Sequence, residues 1–414
     1  MVSTIGEFAV SGVNIIDNIN NLLIIAFTAL STGGAVVVSQ YIGRRDSKNA
    51  SLAARQLIYA VAIVSLIIMT LALSSRRPII RLFYGNLEAD VMDAAAIYFL
   101  FTALSYPFLA IYSSSAAIFR AMGNSKVTMS IALLVNITHI TCSAFFIFVL
   151  QIGIAGVAIS NLLSRILAAV ILTILLTNNK SGPVYLTGLF KIHLNPPIMR
   201  SILNIGIPSG LENSMFQMGR VFTQRIFTLF GTYALAANAV THVIASFCFM
   251  PGMAYAMALL TVVGQCIGAG DYEAAKRYTA KIMKLSFLTI FVLSLFIYIF
   301  MEDLISLFNL SPEAHELAKS FLRLYCFFNA FVWVFSFALP NALRAAGDVR
   351  FVMISATISM WTIRVSAAYI MAYFLGVGPI SVWIAMGIDM TIRAACFLIR
   401  WLKGSWKKKK VIAD

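Results

Sequence analysis

About eleven apolar runs, each long enough to cross a bilayer, follow one another along a chain of 414 residues. A helix of about 20 residues spans the hydrocarbon, and inside lipid only helices and closed barrels satisfy every backbone group. With 60% hydrophobic and 11% charged residues, there is too little charge to clothe a soluble domain of this size. The chain is therefore predicted to be an all-α polytopic membrane protein. In a soluble chain the net charge of +15 would suggest nucleic acid. Here the basic residues sit at the ends of apolar runs, where cytoplasmic loops place them. Cys142, Cys248, Cys266, Cys326 and Cys396 lie scattered without metal-ligand spacing and read as buried thiols. Met1 opens onto VSTIGEFAVSG without a basic n-region, so no cleavable signal peptide is expected. No paired catalytic motif such as HExxH or GxSxG occurs, so no enzyme is expected.

The runs fall near Val10–Val38, Leu52–Leu73, Met92–Ile118 (broken by Pro107), Val127–Leu150 and Val157–Leu176. After a break they resume at Leu203–Phe230, Ala234–Gly264, Ile282–Phe300, Ala318–Leu339 (with Pro340 at its end), Val352–Leu375 and Ile380–Leu402. The break carries Gly182, Pro183, Gly188, Pro196 and Pro197 and reads as a linker. The expected organisation is an N-terminal bundle over 1–178, a cytoplasmic linker over 179–198, a C-terminal bundle over 199–403 and a basic tail over 404–414.

The halves repeat. QYIGRRD at Gln40–Asp46 recurs as QCIGAGD at Gln265–Asp271, and IGEFAV at Ile5–Val10 as FGTYAL at Phe230–Leu235, both 225 positions on. FRAMGNSK at Phe119–Lys126 recurs as LRAAGDVR at Leu343–Arg350, 224 positions on. One offset over so long a stretch marks a tandem duplication. Shifted back by 225, Leu203–Phe230 would precede Met1. The reading is therefore five spans plus six, with six plus six expected of a complete repeat. Six spans per half makes the repeat parallel, about an axis along the membrane normal.

Orientation follows from charge. Arg44, Arg45 and Lys48, then Arg120 and Lys126, Lys180 and Lys191, Lys276 and Arg277, Arg344 and Arg350, and Lys407–Lys410 all fall on one side, which the positive-inside rule makes cytoplasmic. Arg76, Arg77 and Arg81 dissent. Gln40–Gly43 and Gln265–Gly268 read as helix ends where glycine stops the helix, and the same reading covers Arg120, Gly123, Arg344 and Gly347. The tail lysines read as an inner-face anchor.

Leu203–Phe230 is the least greasy span. Ser209, Asn213, Gln217, Arg220 and Gln224 share one helical face, and Glu212 borders it. The face reads either as cavity lining or as helix packing through side-chain hydrogen bonds. A carboxylate at membrane depth costs about 2.5–3.5 kcal/mol on insertion scales, so Glu212 should face a cavity or a partner. Pro208 and Gly206 should bend the helix just before it. Asp389 and Arg393, four apart, can pair, and Arg364 could compete for Asp389. Asp17 shares a face with Asn14 and Asn21, Asn136 and His139 could line the first bundle, and Arg165 reads as snorkelling or packing with Asp17. Each of these keeps a structural alternative beside the functional one.

TGGAVVVSQYIGRRD, YPFLAIYSSSAAIFRAMGNSK, IGIAGVAISNLLSRILAAV, LNIGIPSGLENSMFQMGRV and WIAMGIDMTIRAACF together resemble the multidrug and toxic compound extrusion (MATE) family over essentially the whole chain. The resemblance implies two six-helix bundles around a central cavity. It further implies a plasma-membrane antiporter, expected as a monomer, that exports organic cations or other amphiphiles in exchange for Na+ or H+. Glu212 in IPSGLEN matches a functional glutamate of that family. The ion-coupling candidates are Glu212, Asp389 and Asp17, with Na+ possible near Glu212 and no other cofactor. Asn213, Gln217, Arg220, Asn136 and His139 are the cavity candidates. The family's first helix, which often carries a coupling aspartate, falls before Met1. Asn329 stands where some members have an acid. Two other readings are a lipid-linked saccharide flippase of the same superfamily and a non-transporting remnant.

Overall fold

The computed structural model describes residues 7–85, 88–179, 182–189 and 193–412, and every regular element among them is helical. The chain forms two compact units, Met1–Gly210 and Leu211–Asp414. The first holds α1 (Glu7–Gly43), α2 (Ser47–Ser74), the short α3 (Arg76–Tyr84), α4 (Ala89–Leu104), α5 (Tyr106–Ala121), α6 (Ser125–Ala144), α7 (Gly153–Asn178) and the start of α8 (Pro196–Leu229). There α1 packs on α2, α4 and α5, while α7 packs on α4, α5 and α6. The second holds the rest of α8, then α9 (Thr232–Gly268), α10 (Tyr272–Ile299), α11 (Met301–Ser306), α12 (Pro312–Phe331), α13 (Leu339–Ala345), α14 (Val349–Ile358), α15 (Ser366–Tyr373) and α16 (Ser381–Leu402). In this unit α9 packs on α10, α12 and α13, and α16 on α12 and α15.

Among the described residues eight helices are long and apolar enough to cross a membrane, or ten if each of two bent pairs is one span. The sixth predicted span, α8, is not among them. It has the length, at 34 residues, but its polar residues hold its hydropathy down. Asn195 caps it, accepting from the Ile198 amide at 3.2 Å, and Pro196 and Pro197 occupy the first turn, where no amide is needed. The helix therefore starts seven residues before the predicted Leu203.

The duplication is visible in helix lengths. α1 and α9 are both 37 residues long, and α2 and α10 both 28. The corners repeat as well. In each, an amide bonds back to the carbonyl five residues earlier: Asp46 to Tyr41, Asp271 to Cys266, Asn124 to Phe119 and Asp348 to Leu343. This is the Schellman closure, which needs a left-handed residue just past the helix. The helices α1 and α9 do end at Gly43 and Gly268, as expected, but the left-handed residues lie two further on, at Arg45 (φ 61°) and Gly270 (φ 75°). The other two corners use Gly123 (φ 80°) and Gly347 (φ 86°). Asp46 then caps α2 through the Asn49 amide at 3.0 Å, and that bond holds its carboxyl below the usual carboxylate range.

The prolines act differently from one another. The α4–α5 span bends by 46° at Ser105, two residues before Pro107. The α12–α13 span bends by 63°, and Pro340 lies inside it rather than at its end. Proline removes an amide and its ring crowds the turn before it, and here the preceding turn widens into a π-helix at Val334–Ala338. By contrast α8 continues as one helix through Pro208.

The segments read as a linker and as a basic tail both make contacts to protein. In the first unit the Gln56 side chain holds the linker at two points, donating to the His193 carbonyl at 2.6 Å and accepting from the Asn195 amide at 3.0 Å. Tyr59 donates to the Leu189 carbonyl at 2.9 Å. In the second unit the tail folds back onto protein. Trp406, 1% exposed, stacks on Trp401 with ring centres 4.3 Å apart. Lys407 reaches Glu273 at 3.4 Å, and Val411 lies against Gly347.

Candidate functional site

The inward side of α8 is not its most polar side. Glu212, Gly219, Thr223 and Ile226 are buried, whereas Asn213, Arg220 and Gln224 are exposed and Gln217 is half-buried. At 100° per residue these sets lie about a third of a turn apart. Glu212 therefore leaves the polar stripe and enters the second unit. Its Oε1 accepts from Arg344 Nη2 at 2.7 Å. Arg344 in turn donates through Nη1 to Asn341 Oδ1 at 2.9 Å, so donor and acceptor are one turn apart on α13. Glu212 Oε2 is buried without a hydrogen-bond partner.

A second carboxylate lies deeper. Asp389 is fully buried and accepts from the Ser359 hydroxyl through Oδ1. Its Oδ2 is 3.8 Å from Arg393 Nη1, the pairing expected from their spacing, though without a hydrogen bond. Phe216, one turn beyond Glu212, joins the two sets. The Arg364 and Arg393 guanidinium carbons lie 5.5 and 5.6 Å from its ring centre. Such cation–π contacts partly compensate a desolvated guanidinium.

Arg364 belongs to a π-helical stretch, Ser359–Val365, a widening often found at functional positions. Gly219 makes room for that stretch, since a side chain there would meet Met360. Against Arg364 lies a cavity of about 280 Å³ within the second unit, bordered also by Arg220, Gln224, Asn238, His242 and Trp383.

The first unit has its own polar cluster. Tyr98 donates to Asp17 at 3.3 Å, Tyr106 donates to Asn20 at 2.7 Å, and Arg165 Nη1 donates to Ser105 at 2.6 Å. Asp17 is on the exposed side of α1, while Asn20, Tyr98 and Tyr106 are buried. His139 is half-buried with Nε2 unpartnered, and Asn136 is exposed. Among the described residues no group of three or more His, Cys, Asp or Glu could hold a metal.

Residues 1–145 and 208–370 match the MatE family. The chain belongs to the MATE family. It is 28% identical over 413 residues to the uncharacterized transporter YisQ of Bacillus subtilis (strain 168), covering 99% of this chain and 90% of that one. It is 27% identical over 414 residues to a probable multidrug resistance protein, NorM, of Thermotoga maritima, covering 98% and 87%. Its fold is similar to a crystal structure of MATE in the bent conformation, with a TM-score of 0.91 at 21% identity over 99% of this chain and 90% of that one. The first of these relatives is named as a transporter and the second as a probable multidrug resistance protein, and neither is named as an enzyme.

Within this MATE chain the structure brings Glu212, Arg220, Arg344 and Asp389 into one unit, and Asp17 and His139 into the other. It keeps Asn136, Asn213 and Gln217 out of the two clusters' buried parts. Asn329 donates to Cys248 Sγ at 2.9 Å and Ser294 Oγ at 3.0 Å, tying α12 to α9 and α10. Asn20, Tyr98, Tyr106, Asn238, His242 and Trp383 were not foreseen. Only the three-residue step from Asp17 to Asn20 carried a signal for any of them.

Proposed function

We propose that the chain is a secondary active antiporter that exports organic cations or other amphiphiles in exchange for Na+ or H+ by alternating access. The observation that carries the reading is Glu212, which holds Arg344 with one oxygen and leaves the other buried and unpartnered. A buried carboxylate oxygen lacking a donor is where a proton or a monovalent cation gains most. Loading it neutralises the acid and loosens its hold on Arg344, which frees α13 beyond the 63° bend. Coupling-ion occupancy thereby changes a helix, and the helix changes access. Asp389, with one oxygen likewise unpartnered, and Asp17 in the first unit extend the coupling set. Each net unit charge moving down 100 mV supplies about 2.3 kcal/mol, enough for a roughly 50-fold gradient.

The chain sits in a bacterial plasma membrane, acts as a monomer and keeps its tail cytoplasmic. The basic corners on the tail's side support that orientation. Ethidium efflux from cells tests the reading. Glu212→Gln should abolish coupled export, counted per folded transporter in the membrane. Normal export by Glu212→Gln would make the acid structural and sink the proposal.

A further inference from the structure

The geometry points to an oxyanion-binding site in the second unit: the cavity of Arg220 and Arg364 takes the carboxylate, sulfonate or phosphate head of an aromatic amphiphile. The inference rests on the reading of the chain as an exporter and names a further substrate class for it. Its first support is charge. Among the described residues lining the cavity, two are arginines and none is acidic. Its second is unmet hydrogen bonding. Arg364 is 6% exposed and Trp383 3% exposed, and Arg364 Nε and Trp383 Nε1 are both buried donors without partners. Buried polar atoms are normally satisfied, so orphaned donors on two residues that line the cavity call for an acceptor.

The neighbouring acid does not supply it. Asp389 is committed to Ser359 through one oxygen and lies closest to Arg393 with the other. Arg220, which lines the cavity, donates its guanidinium to the neutral Gln217 at 3.2 Å and forms no ion pair among the described residues. Planar guanidinium donors match an oxyanion's paired oxygens better than any other side chain does. The apolar body has a place as well. Trp383 stacks on Phe321 at 5.7 Å and lies 5.2 Å from His242, giving a rigid aromatic wall. About 280 Å³ holds a two-ring aromatic acid. The π-helical turn that carries Arg364 is the device that aims it.

Equilibrium binding to the purified full chain in phosphatidylcholine nanodiscs, with no ion gradient, tests the site separately from transport. The probes are naphthalene-2-sulfonate and its cationic counterpart 2-naphthylmethylammonium. The sulfonate should bind at least tenfold more tightly. Arg220→Gln, at an exposed position, should weaken the sulfonate about tenfold and leave the cation unchanged or tighter. Trp383→Phe, which removes one donor and keeps the wall, should weaken it severalfold. Arg364→Gln should do more, and if that variant does not fold the other two still decide. Repeating the titration with phosphatidylglycerol in the disc separates sources. Competition lost in Arg220→Gln marks a lipid head group as the occupant, and no competition marks a soluble anion. Equal affinity for the two probes, or sulfonate binding within twofold of the parent in Arg220→Gln, overturns the proposal.

Discussion

Glu212 and Arg344, 132 positions apart in sequence, meet at 2.7 Å with side chains 7% and 14% exposed. Breaking a buried pair from one side leaves an uncompensated charge, which costs about 3–5 kcal/mol. Arg344→Met and Glu212→Gln should therefore each lower thermal stability strongly, and the double variant should recover much of the loss. Fluorescence-detected thermal unfolding in detergent gives the cycle. Additive single and double effects would show that the two groups do not depend on each other.

The four corner closures differ in one residue. Arg45 adopts φ 61° where the other corners have glycine, and a side-chain-bearing residue in the left-handed region costs of order 1 kcal/mol or more. Arg45→Gly should stabilise the first unit by about 0.5–1 kcal/mol, although glycine's freer unfolded chain offsets part of the gain. Gly270→Ala, the reverse change at the matching corner, should destabilise by about 1 kcal/mol or more. Opposite signs in paired melting measurements are the expected result.

What the sequence made legible here was repetition and periodicity. QYIGRRD and QCIGAGD predicted matched corners, and the structure matches them bond for bond. The polar stripe of α8 was legible as a face, but Glu212 lies a quarter-turn off it, and its partner depends on where α13 packs. Arg344 and Glu212 were each singled out separately, yet no local rule connects residues so far apart. Arg364's aim was hidden for a different reason. A π-helical turn shifts the register, so reading at 3.6 residues per turn misplaces everything after Ser359. The docking of the tail was hidden because four lysines after a tryptophan fit a lipid surface as well as they fit Glu273 and Trp401. Bends were legible as prolines but not placed, since Pro107 and Pro340 each follow the break and Pro208 lies in an unbroken helix.

Close packing of α1 on the start of α8 gives a third expectation, within the first unit. A Cβ at Gly33 would lie 2.5 Å from the Ile202 carbonyl oxygen and 2.8 Å from the Gly206 amide nitrogen. Both neighbours are backbone and cannot turn aside, so the helices must part. Gly33→Ala should cost about 1–3 kcal/mol by overpacking, read as a lower melting temperature. Gly85→Ala has open space around it and tests backbone strain alone, at φ 71°. If Gly33→Ala melts no lower than Gly85→Ala, the contact is not tight.

The docked tail can be tested against the lipid anchor that its composition suggested. Its hold is mostly aromatic. Trp406 lies flat on Trp401, donates Nε1 to the Trp401 carbonyl at 3.0 Å, and meets Tyr272 at 6.0 Å. The ion pairs around it, Lys407 with Glu273 and Lys409 with Asp348 at 3.9 Å, are partly exposed and should add little. Losing a buried tryptophan costs about 3–5 kcal/mol, more than a short 3₁₀ turn can withstand. Trp406→Ala should free Lys403–Lys410 and speed tryptic cleavage there roughly tenfold or more. Glu273→Gln should change it little. The comparison is made in neutral nanodiscs and again with anionic lipid. Protection that survives Trp406→Ala only on anionic lipid would return the lysines to the membrane surface. Protection lost in both places the hold on the tryptophan stack.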